Sequence, residues 1–220
     1  MAQQLRIGSD VEFAENQQPR CPCVLLLDTS GSMGGAPIRQ LNAGLQSFRD
    51  DLARDSLASK RVEVSIITFG EGVSAPTDFT LACNFTPPML RASGYTPMGE
   101  AIEVGIDALC ARKQNYRDHA ITYYCPWVFL ITDGVPTDNW HRAAARVREG
   151  EEHRAFAFFA VGVEGADIDT LAQIAVRRPL KLDGLKFRDM FLWISSSLKA
   201  VSASRINDRV KLPPPGWAEV

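Results

Sequence analysis

An aspartate ends the apolar run VLLL at position 28, and the loop behind it, TSGSMGG, sets hydroxyls among glycines. In a tight loop, residues two apart can turn their side chains to the same side, so Asp28, Ser30 and Ser32 can converge on one point. Gly31, Gly34 and Gly35 would free the backbone for that turn. A second acid, Asp133, closes another apolar run, WVFLIT. Two carboxylates with several hydroxyls form an all-oxygen donor set, which suits a hard cation such as magnesium or manganese, with calcium as an alternative. A strand end and a plain turn would explain Asp28, Ser30 and Ser32 singly, but not D-x-S-x-S behind an apolar strand with a matching acid elsewhere.

Other chemistries find less in the sequence. The glycines are not followed by Gly-Lys-Ser/Thr, so no P-loop lysine is present for a nucleotide. Ser32 lacks a G-x-S-x-G frame, because Ser30 stands where the first glycine belongs. A phosphatase with an aspartyl nucleophile would want an acid at position 30. His119, His141 and His153 show no pairing with a nucleophile by spacing and read as surface residues. No catalytic residue is assigned, and the expectation is a protein that is not an enzyme. A metal-dependent hydrolase or phosphatase, in which a cation activates water, is the alternative, and a metal-independent scaffold is another.

The acids must be carried by strands. VLLLD (24–28), RVEVSIITF (61–69), WVFLITD (127–133) and AFAFFAVGV (155–163) read as buried strands. Val73–Ala82 reads as an antiparallel edge strand and Leu180–Leu182 as a last edge strand. Between them lie amphipathic stretches. Pro37 opens a helix with Ile38, Leu41, Leu45, Phe48 and Leu52 on one face, and a second follows Pro97 with Met98, Ile102, Ile106 and Leu109. Residues 139–149 read as a helix capped by Asp138, Ile168–Ala175 as one capped by Asp167, and Phe187–Ala203 as a long closing helix. The end, KLPPPGWAEV, reads as irregular.

Buried strands joined by helical connections of this length predict an α/β fold: a doubly wound, mainly parallel sheet with one antiparallel edge strand and helices on both faces. Ligands of such sheets bind beyond the carboxyl ends of the strands where the winding reverses, which is where Asp28 and Asp133 fall. Residues 1–19 read as an extension, 20–205 as the domain and 206–220 as a proline-rich tail.

Composition limits the partners. The 220 residues, 45% hydrophobic, suffice for one sizeable core, and 24 basic against 26 acidic residues leave a formal charge of -2. That balance favours neither nucleic acid nor an anionic membrane. No run reaches a membrane span and the first twenty residues lack the apolar core of a secretory signal, so the expected location is cytoplasmic. Cys21, Cys23, Cys83, Cys110 and Cys125 form no C-x-x-C pair and read as buried free thiols rather than a zinc site. Arg177, Arg178, Lys181, Lys186 and Arg188 read as a solvated face, with a docking patch for an acidic partner as the alternative.

DTSGS at 28–32, Thr96 within SGYTPMGEAI and Asp133 within FLITDGVPTD together resemble the three-part metal-ion-dependent adhesion site of von Willebrand factor A domains, over roughly residues 20–205. The stretches LLLDTSGSMGGAPIRQLNAGLQ, YTPMGEAI and FLITDGVPTD further resemble bacterial TerY-type proteins, stand-alone cytosolic A domains associated with tellurite resistance and stress response. The resemblance implies Ser30, Ser32 and Thr96 as hydroxyl ligands, with Asp28 and Asp133 binding directly or through water. It also implies an open coordination position that accepts a carboxylate from a partner protein, and kinase-like or phosphatase-like proteins as partners. Thr96, next to Pro97, would equally serve as a helix N-cap. Tyr95 and Trp140 would either rim the open position or pack beneath a loop.

Overall fold

The computed structural model describes residues 12–219. Strand β1 (Cys21–Asp28) is buried throughout because both its faces are covered. Cys23, Leu25 and Leu27 enter one apolar cluster, and Val24 and Leu26 the other, as the two-residue period of a strand requires. The remaining strands are β2 (Val62–Phe69), β3 (Thr80–Leu81), β4 (Trp127–Thr132), β5 (Ala157–Gly162), β6 (Leu180–Leu182) and β7 (Ala218–Glu219). They form a single sheet in the order β3-β2-β1-β4-β5-β6-β7. The pairs from β2 through β6 are parallel, while β3 and β7 run antiparallel at the two edges.

Helices α1 (Ala36–Arg54) and α6 (Phe187–Ala203) cover one face, and α3 (Met98–Asp118), α4 (His141–Glu152) and α5 (Ile168–Ile174) the other; α2 (Ala58–Arg61) is a single turn. Leu45 and Phe48 of α1 meet Phe191 and Ile194 of α6 in the first cluster. Ile102, Val147 and Leu171 meet on the opposite side. Each such buried side chain contributes about 1.5–3 kcal/mol, so the helix faces, rather than helix propensity, fix the layers. The expected mainly parallel, doubly wound α/β architecture is therefore what the chain adopts.

Departures from expectation have local causes. Only Thr80–Leu81 of the predicted Val73–Ala82 strand pairs as a strand. Upstream of it, side chains take half of the ladder: Ser74 N and Thr77 N donate to Thr68 O and Ile66 O, but Thr68 N and Ile66 N donate to Ser74 Oγ at 2.9 Å and Thr77 Oγ1 at 2.8 Å. The tail is not wholly irregular. Trp217 is buried against Trp193, whose Nε1 donates to Pro213 O at 2.8 Å, and this contact delivers Ala218–Glu219 to the far edge of the sheet. All five cysteines are free, but only Cys21 and Cys23 are buried; Cys83, Cys110 and Cys125 are exposed. His119 is half-buried, its ring 5.0 Å from that of Phe13, rather than on the surface.

The amino end of the sheet holds a buried polar knot. Glu63 of β2 is fully buried and receives Arg20 Nε at 2.8 Å, two bonds from Arg112 at 2.8 and 2.9 Å, and the Tyr116 hydroxyl. Arg112 also reaches Glu12 at 2.9 Å, and the Phe13 ring lies 4.9–5.3 Å from both guanidinium carbons. Of the extension expected at 1–19, residues 1–11 lie outside the described residues, and 12–19 belong to this knot and its surroundings. Among the described residues no helix is long and apolar enough to cross a membrane.

Candidate metal centre

The winding reverses between β1 and β4, which are adjacent and in register, Leu27 beside Ile131. Asp28 and Asp133 therefore emerge together at the carboxyl end of the sheet, where the crevice of a doubly wound fold lies. Asp28 is fully buried and Asp133 is 8% exposed. Asp28 Oδ1 accepts the Ser30 amide at 2.7 Å, which folds the loop back over the strand end. Ser32 Oγ donates to Asp133 Oδ1 at 2.8 Å and lies 3.0 Å from Ser30 Oγ. With the Ser32 proton directed at Asp133, Ser30 is the donor of the second bond. A continuous chain of hydrogen bonds thus links Asp28, Ser30, Ser32 and Asp133.

Thr96 arrives from the loop before α3. Its amide donates to Thr137 Oγ1 at 3.1 Å, and its carbonyl accepts from Thr137 N at 2.9 Å and from Met98 N at 2.8 Å. The position of its hydroxyl is marked by Gly134. A methyl group built there would sit 2.8 Å from Thr96 Oγ1 and 3.5 Å from Asp28 Oδ2, so both oxygens face the one hollow that this glycine keeps open. All five predicted residues are brought together. Thr96 does not cap α3, whose N-cap is Pro97; the capping is done by Asp138, whose two oxygens accept from Gly99 N and Glu100 N at 3.0 and 2.8 Å. Asp138 was expected to cap residues 139–149, and that helix instead starts at His141 without a side-chain cap.

The supporting loops are tightly bound. Gly31 N donates to Gly94 O at 3.1 Å, Ser93 N to Thr29 O at 2.7 Å and Tyr95 N to Gly70 O at 2.9 Å. Gly94 has φ of 81° and approaches Gly70 O so closely that a side chain would lie 2.5 Å from it, which only glycine permits. Of the three glycines expected to take unusual conformations, Gly35 alone does so, with φ of 82°. Tyr95 stands 77% exposed beside Thr96, whereas Trp140 is half-buried and stacks on His141.

Sequence reading missed Thr132. Its hydroxyl donates to Asp28 Oδ2 at 2.5 Å and accepts Gly134 N at 3.1 Å, fixing one acid and the glycine hollow at once. The available signal was a lone hydroxyl in a strand otherwise wholly apolar. Thr137, which clamps Thr96, carried no signal of its own.

Among the described residues no ion pair involves Asp28 or Asp133, and the charge of Asp133 itself acts on Asp28. Burial pushes both carboxyls above their ordinary range, against the hydrogen bonds of Ser30 and Thr132 on Asp28 and of Ser32 on Asp133. Two acids and three hydroxyls, gathered without a lysine or arginine, are a donor set that fits a hard dication. Among the described residues no group of three or more His, Cys, Asp and Glu forms a metal cluster, so a softer or more acidic cage is not built here.

An oxygen-lined crevice at the switch point of a doubly wound sheet defines a class of ligand-binding α/β domains. Within that class the chain belongs to the von Willebrand factor type A domain family, whose model matches residues 23–181. No curated protein matches the chain. Among solved structures it is similar to the pilus adhesin SpaC of Lactobacillus rhamnosus GG in its open conformation, at 16% identity over 84% of this chain and 31% of that one, TM-score 0.67. The von Willebrand factor domain of the type V pili tip protein Mfa5 from Porphyromonas gingivalis aligns at 11% identity over 87% and 99%, TM-score 0.58. Proximal thread matrix protein 1 of the mussel byssus, solved with zinc in its MIDAS motif, aligns at 14% over 83% and 48%, TM-score 0.55. The chain spans less than half the length of the adhesin and of the byssus protein. At these identities the likeness is one of fold.

Proposed function

We propose that the protein is a metal-dependent interaction module. Asp28, Ser30, Ser32, Thr96 and Asp133 would hold a divalent cation, magnesium first, with manganese or calcium as alternatives. One observation carries the reading: two buried carboxylates are joined to the Ser30 and Ser32 hydroxyls by hydrogen bonds and to Thr96 across the Gly134 hollow, with no ion pair to either acid among the described residues. A cation bound there supplies an electrophilic centre that attracts an anion. The chain's part is to hold it with only two negative charges, leaving it attractive to a further carboxylate from a partner. Exposed Tyr95 at the rim suits contact with that partner. The zinc-occupied MIDAS of the mussel byssus relative supports the cation assignment by family likeness.

An interaction role rather than an enzymatic one is supported by the histidines. Nδ1 of each bonds locally, His119 to Asn115 O, His141 to Asn139 Oδ1 and His153 to Glu149 O, and among the described residues no hydrogen bond joins any of them to Asp28 or Asp133. Five free thiols suit a reducing, cytoplasmic setting. The TerY-type resemblance supports a place in a tellurite-resistance or stress-response system, with kinase-like or phosphatase-like proteins as candidate partners. Magnesium calorimetry on the wild type and Asp28→Ala tests the centre: equal affinity in both removes it. Magnesium-dependent turnover of phosphate esters, lost in Asp133→Ala, would replace the module with an enzyme.

A further inference from the structure

At the amino end of the strands, opposite the candidate metal centre, a cavity of about 520 Å³ opens between α3, the end of α4 and the tail. Four cations from distant parts of the chain, Lys113, Arg154, Arg177 and Arg209, line it. Two are engaged: Lys113 Nζ donates to Ala155 O at 3.1 Å, and Arg177 pairs with Glu151 at 2.7 Å. Glu151 is also held by the Phe158 amide, so its charge is committed. Arg154 and Arg209 have no ion-pair partner among the described residues, although both face the same concavity. Asp208, the other acid of the lining, accepts the Arg205 amide at 3.0 Å.

The backbone points to the same place. Among the described residues three non-glycine residues have positive φ, and two of them, Arg154 at 52° and Asn207 at 72°, line this cavity. Arg154 occupies the turn closing α4, where glycine is the residue of least strain. Arg154 is exposed, so its guanidinium can reach a ligand in the cavity from a backbone position that costs strain.

We infer that this cavity binds a small oligophosphate anion through Arg154 and Arg209, with Lys113 and Arg177 setting the positive field. Guanidinium pairs take phosphoryl oxygens bidentately, which selects phosphate chains over single charges. The cavity has the size of a small-molecule site rather than a flat protein contact. Of the exposed large hydrophobic residues, Met89, Tyr95 and Val135 lie on the loops of the carboxyl end, and Val176, although next to Arg177, lines a separate cavity with Trp140 and Gln173, so none of the four lines this one.

Calorimetry of the full chain with sodium tripolyphosphate, magnesium-free ATP, inorganic phosphate and polyglutamate at one ionic strength tests this. Tripolyphosphate should bind at least about tenfold more tightly than phosphate. ATP tighter than tripolyphosphate identifies a nucleotide, with the base against the wall formed by Pro126 and Phe156; equal affinity identifies the phosphate chain alone. Arg154→Gly and Arg209→Gln should each weaken binding about tenfold, while Arg154→Gly melts no lower than wild type because the backbone strain is relieved. Tripolyphosphate should slow alkylation of Cys125, which lines the cavity, but not of Cys83 or Cys110, read peptide by peptide. Asp28→Asn should bind it unchanged. Wild-type affinity in both arginine variants, unprotected Cys125, no binding at all, or polyglutamate binding as tightly would overturn the inference.

Discussion

The two ends of the sheet treat buried acids in opposite ways. At the amino end Glu63 is wholly buried and satisfied by Arg20, Arg112 and Tyr116. At the carboxyl end Asp28 is equally buried, yet among the described residues it meets the amide and side chain of Ser30, the Thr132 hydroxyl and a second acid, with no cation paired to it. A buried charge costs several kcal/mol unless paired. Where the chain supplies the partner the acid serves the fold; where it does not, the proposed cation would supply the missing charge.

Breaking the amino-end knot should have the largest effect. Glu63→Ala leaves two arginines facing an emptied site, one fully buried and one mostly so, and should cost about 3–5 kcal/mol in urea unfolding, whether or not magnesium is present. Asp28→Asn should do the reverse: little loss, or a gain, in chelator, but no stabilisation by magnesium. In the wild type that stabilisation should reach about 2.7 kcal/mol at a hundredfold excess over the dissociation constant, read from melting with and without EDTA. If Glu63→Ala is mild, or Asp28→Asn as damaging as Glu63→Ala without metal, the contrast between the ends fails.

Smaller changes sharpen the comparison. Gly134→Ala places a methyl 2.8 Å from Thr96 Oγ1 and should cost about 1–3 kcal/mol, part of it seen only as weakened magnesium binding in calorimetry. Asp138→Ala removes the cap of α3 and should cost about 1 kcal/mol in chelator. The smallest effect concerns Asp51, which accepts from Ser195 at 2.5 Å and Lys199 at 2.7 Å, tying α1 to α6. Burial raises its carboxyl, but these bonds and the Lys199 charge outweigh burial and hold it below the ordinary carboxylate range. A depressed acid contributes stability above its unfolded pKa and loses it as pH falls through the folded one. Asp51→Asn should therefore narrow the loss of stability in acid by under about 1 kcal/mol, checked by urea midpoints across the acid range.

Much of this was legible beforehand. Continuous apolar runs ending in Asp28 and Asp133, with helical periods between them, specify buried parallel strands and so place both acids at one end. The two-residue spacing of Asp28, Ser30 and Ser32 specified their convergence. Less visible was anything whose partner lies far along the chain. Thr132 looks like an ordinary strand residue until Asp28 is beside it. Asp138 looks like the cap of its own helix and caps another. Thr77 and Ser74 offer side chains where a ladder was expected, and the proline-rich tail gains a strand only because Trp217 finds Trp193.

The sequence by itself determined the layers, the strand ends and the oxygen donors, because burial periodicity and loop spacing act over a few residues. Tertiary structure decided which charges are paired. Glu63 paired with Arg20, and Arg154 without an ion-pair partner among the described residues, are outcomes of distances set by the packed sheet, and a sequence read locally contains no such distances.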